Sequence, residues 1–340
     1  MNGHQRIKAA LEGRMPDKRP VMLHNFMSAA EQFGINMKQY RDDPRLAAKC
    51  LIESVERYGL DGVFFDVDTA LLASAIGVPT DYPVDFPART HKPLLDNLED
   101  IGQLEEVDVS HNIRIQHTLE TVKILKSYFK DEVYVRGNCD QCPFSIATMV
   151  RTPVNFMMDL ILDEENAINL LKYCTTVTKQ LIRLMATTGA DMVSNGDSPA
   201  GPELISPDMY RKFAFPYEKE IVNEAHSYHK PYLLHICGNT DLILNGLADL
   251  GLDAVELDYK TSIDKIHKTF HDKCTLFGTI DPSGIITYGS LNDVEKKTLE
   301  LLDVYRDCPR LVVNAGCAIP KEASHENIKH FVDTVHKWCE

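Results

Sequence analysis

The chain has 340 residues, 44% of them hydrophobic and 25% charged, and a formal charge of −14. That is the composition of an ordinary globular protein, long enough for one large α/β domain or two smaller ones. The negative balance speaks against non-specific nucleic-acid binding, which neutralises phosphates with Lys and Arg. No apolar run approaches the roughly 18 residues of a membrane span. The opening "MNGHQRIKAALEGRMPDKRP" has no apolar signal core and reads as an amphipathic first helix, so a cytoplasmic protein is expected. The nine cysteines are odd in number and scattered, which argues against a disulfide framework and leaves thiols for metal binding or packing.

In chain order, short β-rich runs alternate with longer helical patterns. The expected strands are 21–26, 62–68, 133–139, 192–197, 232–238, 254–259, 275–281 and 311–317. Helical periodicity marks 44–60, 164–189 and 293–307 among the connections. Strand–helix alternation implies parallel strands, and eight such units imply a (β/α)8 TIM barrel. The expected architecture is therefore one domain over 1–340, with an N-terminal helical extension and an insertion (69–132) after the second strand. Within it, "GVPTDYPVDFP" reads as an excursion over the barrel mouth. A doubly wound open sheet is the alternative, made less attractive by the lack of GxGxxG at the first helical connections.

The expected strands start apolar and end polar. Their C-terminal ends carry His24 and Asn25, Asp66 and Asp68, Asn138 and Cys139, Asn195 and Asp197, His235 and Cys237, Glu256 and Asp258, Asp281, and Asn314 and Cys317. In a barrel these ends converge on the catalytic face. His24, Asn25, Phe26, Asp66, Asn138 and Cys139 are the candidate substrate contacts.

Residues i and i+2 of a strand share a side, so His235 and Cys237 of "HICG" point the same way. With Cys317 of "NAGCAIP" they form a Cys2His set, a catalytic zinc arrangement with one place left over. Glu256, on the next strand, is the candidate fourth ligand. Asp197 is its competitor, with orientation of His235 from behind as an alternative role. Asp197 and Glu256 are also the candidate catalytic acids beside the metal, whereas Asp281 is expected to brace the "DPSG" turn. Cys139 and Cys142 form a CxxC for which pocket lining is the first expectation. Cys50 and Cys174 read as packing, and Cys274, Cys308 and Cys339 receive no role.

"HICGN", "NAGCAIP", "NGDSPAGPELISPDMYRKFAFPYEKEI" and "GTIDPSGII" together resemble the uroporphyrinogen decarboxylase superfamily, and more closely its branch of zinc-dependent methyltransferases that work with corrinoid proteins. The resemblance covers essentially the whole chain. It implies a TIM barrel, one catalytic Zn2+ held by His235, Cys237 and Cys317, and methyl transfer to or from a cobalamin carried by a separate corrinoid protein. Cobalamin-independent methionine synthases have a similar triad with a Glu on the following strand, which supports Glu256. The decarboxylases follow their first strand with an arginine-rich segment; here "RPVMLHNFMSAAEQFGI" has no basic residue between Arg19 and Lys38. A small, partly apolar substrate suits that segment better than a polyanion. The function expected is removal of a methyl group from a small methylated substrate, such as a methoxylated aromatic, onto cob(I)alamin. The alternatives are methyl transfer from methylcobalamin to a thiol of the coenzyme M type, and a decarboxylase-like lyase in which the cysteines are incidental.

Overall fold

The computed structural model describes residues 1–338; Cys339 lies outside the described residues. Its strands are β1 (Gly62–Phe65), β2 (Thr80–Asp81), β3 (Arg89–Thr90), β4 (Tyr134–Gln141), β5 (Met192–Gly196), β6 (Tyr232–Ile236), β7 (Ala254–Leu257), β8 (Thr275–Ile280) and β9 (Leu311–Ala315). β1 and β4 to β9 form one parallel sheet in that order, each pair joined through helices. Val21 bridges to Val313 on β9 and Met22 to Gly62 on β1, so the sheet's two edges meet and the barrel closes.

The remaining stave, first in chain order, is thus two residues long, against an expectation of 21–26. Beyond it the His24 amide donates 3.0 Å to the Asn314 side chain instead of a ladder carbonyl. Asn25 then leaves extended geometry to precede the helix Phe26–Phe33.

Alternation along the strands sorts the interior into layers. Met22, Phe64, Tyr134, Met192, Leu233, Ala254, Phe277 and Val312, one from each stave, pack into a single apolar cluster. Ile7 and Ala10 of the helix Gly3–Leu11 join that cluster and stopper its lower end. Asn2 fixes this helix through a reciprocal capping box with Gln5. Two residues further along each strand, the next inward positions are His24, Asp66, Arg136, Ser194, His235, Glu256, Thr279 and Asn314. The barrel has an apolar floor and a polar layer above it, and that layer opens at the C-terminal mouth.

The expected helices form as Pro44–Tyr58, Glu164–Ala186 and Leu291–Val304. Between β1 and β4 the insertion holds the β2–β3 hairpin, two short 3-10 turns and the helix Ile113–Phe129. Arg41 holds the hairpin by donating 2.9 Å to the Phe86 carbonyl, and Lys321, from the loop after β9, lies 5.0 Å over the Phe86 ring. The Pro-rich segment therefore runs beside the mouth. Among the described residues no helix is long and apolar enough to cross a membrane.

Candidate metal centre

β6 ends by delivering His235 inward, and the chain turns immediately afterwards at Gly238. Its φ of +84° lies in the left-handed region, and a Cβ there would come 2.8 Å from the Glu203 carboxylate. Asp258 pins the turn by accepting from the Gly238 amide at 2.9 Å, and Ser198 Oγ accepts from the Cys237 amide at 3.1 Å. Cys317 arrives from the loop after β9, two residues beyond its last strand residue. His235 Nε2 lies 2.9 Å from Cys237 Sγ, Cys237 Sγ lies 3.2 Å from Cys317 Sγ, and Cys317 Sγ lies 3.9 Å from His235 Nε2. Among the described residues these three form the only group of three or more His, Cys, Asp or Glu side chains close enough to share an ion.

The donors fit zinc. Two thiolates on a tetrahedral zinc, each about 2.3 Å from the metal, stand about 3.8 Å apart. The triangle needs to open by less than about 1 Å to reach that spacing. Its electrostatics are those of a site ready to lose protons. The Cys317 thiol donating to it, opposed by burial and helped by His235, brings Cys237 down to about 3. Burial opposes charge on His235, but the Cys237 thiolate outweighs it and raises the imidazole to about 9. The same Cys237 contact, with burial, pushes Cys317 well up. One proton fewer than two thiols would carry is already the resting state of the pair.

Glu256 lies at the opposite edge of the imidazole. It is the register partner of His235, and its Oε1 stands 3.3 Å from His235 Nδ1. The Glu256 carbonyl lies 3.1 Å from the same nitrogen. Nδ1 meets only acceptors, so it keeps a proton in either charge state, and Nε2, which must give up its own to bind a metal, faces the sulfurs. The Glu256 carboxylate is also bonded to Arg136 through Oε2 and lies 3.2 Å from His24 Nδ1 through Oε1. Burial alone would raise this carboxyl, yet Arg136, His235 and His24 together hold it well below the usual range. The position expected to supply a fourth ligand is thus occupied, in this structure, in orienting the first.

Asp197, the other candidate for that orienting role, meets His235 only through the backbone, its amide donating 2.8 Å to the His235 carbonyl. Its side chain points behind β5, where Oδ1 accepts from the Ser145 amide at 2.8 Å and the Ser145 hydroxyl at 2.6 Å. There it pairs with Glu218, a residue without any sequence signal. Burial raises Asp197 to about 6 and raises Glu218 well above the carboxylate range.

The expected substrate contacts divide. His24, Asp66 and Asn138 are together at the mouth: His24 Nε2 lies 2.7 Å from Asp66 Oδ2, and Asn138 donates 2.6 Å to Asp66 Oδ1. Burial works against a charge on His24, but Asp66 and Glu256 on its two sides raise it. The other three are buried. Asn25 donates 2.9 Å to Ser54 on the outer helix layer, and Phe26 packs among core residues between Tyr40 and His24, its ring 5.7 Å from the His24 imidazole. Cys139 is fully buried, its thiol pushed far up by burial. It lies one residue out of phase with the inward Arg136 and Asn138, so it faces the helices. Asp281 accepts from the Ser283 and Gly284 amides at 2.9 Å each, bracing its turn. Arg136 and Ser194 are the functional neighbours the sequence reading passed over.

Comparison with known proteins gives a consistent frame. The family model described as uroporphyrinogen decarboxylase (URO-D) matches residues 2–338. Methylcobamide:CoM methyltransferase MtbA of Methanosarcina mazei is 29% identical over 337 residues, covering 97% of this chain and 96% of that protein. Methylcobamide:CoM methyltransferase MtaA of Methanosarcina barkeri is 26% identical over 333 residues, covering 96% and 95%. A solved methyltransferase from Methanosarcina mazei superposes with a TM-score of 0.91 at 22% identity, over 100% of both chains.

Proposed function

The chain belongs to the uroporphyrinogen decarboxylase family, and from that premise we propose that it is a zinc-dependent methyltransferase exchanging a methyl group between a small substrate and a cobamide carried by a corrinoid protein. The observation that carries this reading is the convergence of His235, Cys237 and Cys317 at the barrel mouth. The relatives named methylcobamide:CoM methyltransferase support it along nearly their whole length.

Zinc at this donor set supplies a Lewis acid that favours a thiolate over a thiol or stabilises a departing oxyanion. The protein's own residues supply the rest. Cys237 and Cys317 provide the anionic donors, and Cys237 already has thiolate character. Glu256 orients His235, through its backbone carbonyl and its carboxylate on Nδ1. The apolar floor beneath the polar layer closes the lower end of the barrel to water, so ligands enter from the mouth alone.

The finer reading is the direction. The relatives' names point to a thiol as methyl acceptor, which favours transfer from a methylcobamide to a small thiol: the thiolate attacks the methyl group, and the carbon–cobalt electron pair stays on cobalt. The opposite direction, demethylation of a methoxylated aromatic onto cob(I)alamin, keeps one specific observation in its favour. The two buried arginines of this region are already engaged, Arg136 by Glu256 and Arg41 by Asp68. A sulfonated thiol would have to find its cation elsewhere.

The test is methyl transfer by the zinc-loaded protein between cobalamin and two substrates. Methylcobalamin with 2-mercaptoethanol is expected to yield a methyl thioether and cob(I)alamin. Methylcobalamin formed from cob(I)alamin and a methoxylated phenol, without the thiol reaction, would support the second direction. Neither reaction, with carbon dioxide released from uroporphyrinogen instead, would overturn the proposal in favour of a lyase.

A further inference from the structure

Glu256 has two places it can serve. β6 and β7 are adjacent, and His235 and Glu256 are partners in register, so their Cα atoms are separated by roughly one strand spacing, about 4.8 Å. A glutamate side chain from that position reaches the Nδ1 edge of the imidazole, where it now lies. We suppose that the same side chain, turned about its own bonds, would otherwise approach the Nε2 edge and the sulfurs. Three protein donors leave one coordination place on a tetrahedral metal. A free carboxylate beside it is a competitor for any substrate heteroatom.

What holds Glu256 to the first place is Arg136. This guanidinium is 2% exposed and comes from β4, three strands away from Glu256. It is anchored independently of the glutamate: Nε donates 2.8 Å to Ser194 Oγ, and the guanidinium stacks 3.8 Å over the Phe64 ring. Its NH1 bonds Glu256 Oε2, while His24 and His235 share Oε1. Each carboxylate oxygen thus has a partner below the mouth, and the partner on Oε2 is a permanent cation held by contacts that do not depend on Glu256. A buried guanidinium left without its anion is costly, which adds to the preference for this arrangement.

We infer that Arg136 is a positioning residue that draws Glu256 away from the metal and so reserves the coordination place the protein leaves open for the substrate heteroatom. This inference rests on the metal site proposed above. Arg136 is not a catalytic residue in this scheme, because it acts on the substrate only through Glu256.

The test uses the full chain loaded with cobalt(II), whose visible absorption reports its ligands, and 2-mercaptoethanol as probe, with no corrinoid present. Titration of the wild type, Arg136→Met, Glu256→Gln and Arg136→Met/Glu256→Gln with the thiol completes a double-mutant cycle. In Arg136→Met the apparent thiol affinity is expected to fall roughly ten- to a hundredfold, and the cobalt spectrum before thiol is expected to differ from the wild type's. In the Glu256→Gln background, where no carboxylate competes, removing Arg136 is expected to change nothing. The double variant carries no buried charge at either position, so this second comparison stands even where Arg136→Met alone does not fold. Equal thiol affinity in the wild type and Arg136→Met, or a loss on removing Arg136 that persists in the Glu256→Gln background, overturns the inference alone. A folded wild type that binds no cobalt overturns the metal site and the inference with it.

Discussion

Glu256 and His235 face each other across β7 and β6, with Glu256 Oε1 3.3 Å from Nδ1 on one edge of the ring and Cys237 Sγ 2.9 Å from Nε2 on the other. The Glu256 backbone carbonyl, 3.1 Å from Nδ1, and this buried carboxylate tied to Arg136 together set which nitrogen is offered to a metal. Glu256→Gln keeps the shape but loses the charge. It is expected to weaken zinc binding by roughly ten- to a hundredfold, measured by competition with a chromophoric chelator. Unchanged zinc affinity would mean that His235 is oriented by the Glu256 carbonyl alone.

The metal-free protein should show its ion pair directly. Cys237 lies near 3 and His235 near 9, so the thiolate is present throughout the range between them. An ordinary thiol, with a pKa near ~8.5, gains about tenfold in alkylation rate per pH unit below that value. Cys237 is expected to react with iodoacetamide at a nearly constant rate from about pH 5 to about pH 8, and zinc is expected to protect it. Peptide mass mapping identifies the site. A rate rising tenfold per unit would contradict the thiolate assignment.

Asp197 and Glu218 predict a pH dependence of stability. Both are raised in the folded protein, Asp197 to about 6, whereas an unfolded Asp sits near ~3.9. Between those values the folded state binds more protons than the unfolded one, so stability is greatest below the unfolded value and falls as pH rises through the folded one. Glu218→Gln retains an acceptor for Tyr210, whose hydroxyl donates 2.6 Å to Glu218 Oε2. It also offers an amide to Asp197. The variant is expected to gain on the order of 1–3 kcal/mol over the wild type at pH 8 relative to pH 5, read from urea denaturation. An equal difference at both pH values would show that the pair shares no proton.

The barrel and the convergence of His235, Cys237 and Cys317 were legible in the sequence for one reason: period-2 alternation in the strands puts His235 with Cys237, and polar strand ends converge on one face. The same alternation carried more than was drawn from it. Arg136 is a charged residue two positions before Asn138 in "VYVRGNC", and counting by twos places it inside and Cys139 outside. The first stave is shorter than its β-rich run 21–26 suggests, because ladder pairing ends at Met22 and the His24 amide goes instead to Asn314, a long-range bond that local sequence does not encode. Glu218 lies in the helix Phe215–Ser227 with nothing nearby in sequence to mark it as the partner of Asp197, and the two meet through tertiary packing of that helix against β6 and against the helix Pro143–Arg151, which carries Ser145.

The central claim is that His235, Cys237 and Cys317 hold zinc. Metal content by mass spectrometry, on the purified wild type beside Cys317→Ser, tests it most directly. About one zinc per chain, lost or sharply reduced in the folded variant, is the expected result for a Cys2His site. A folded wild type that stays free of metal after zinc is supplied would contradict the site and the methyl-transfer chemistry built on it.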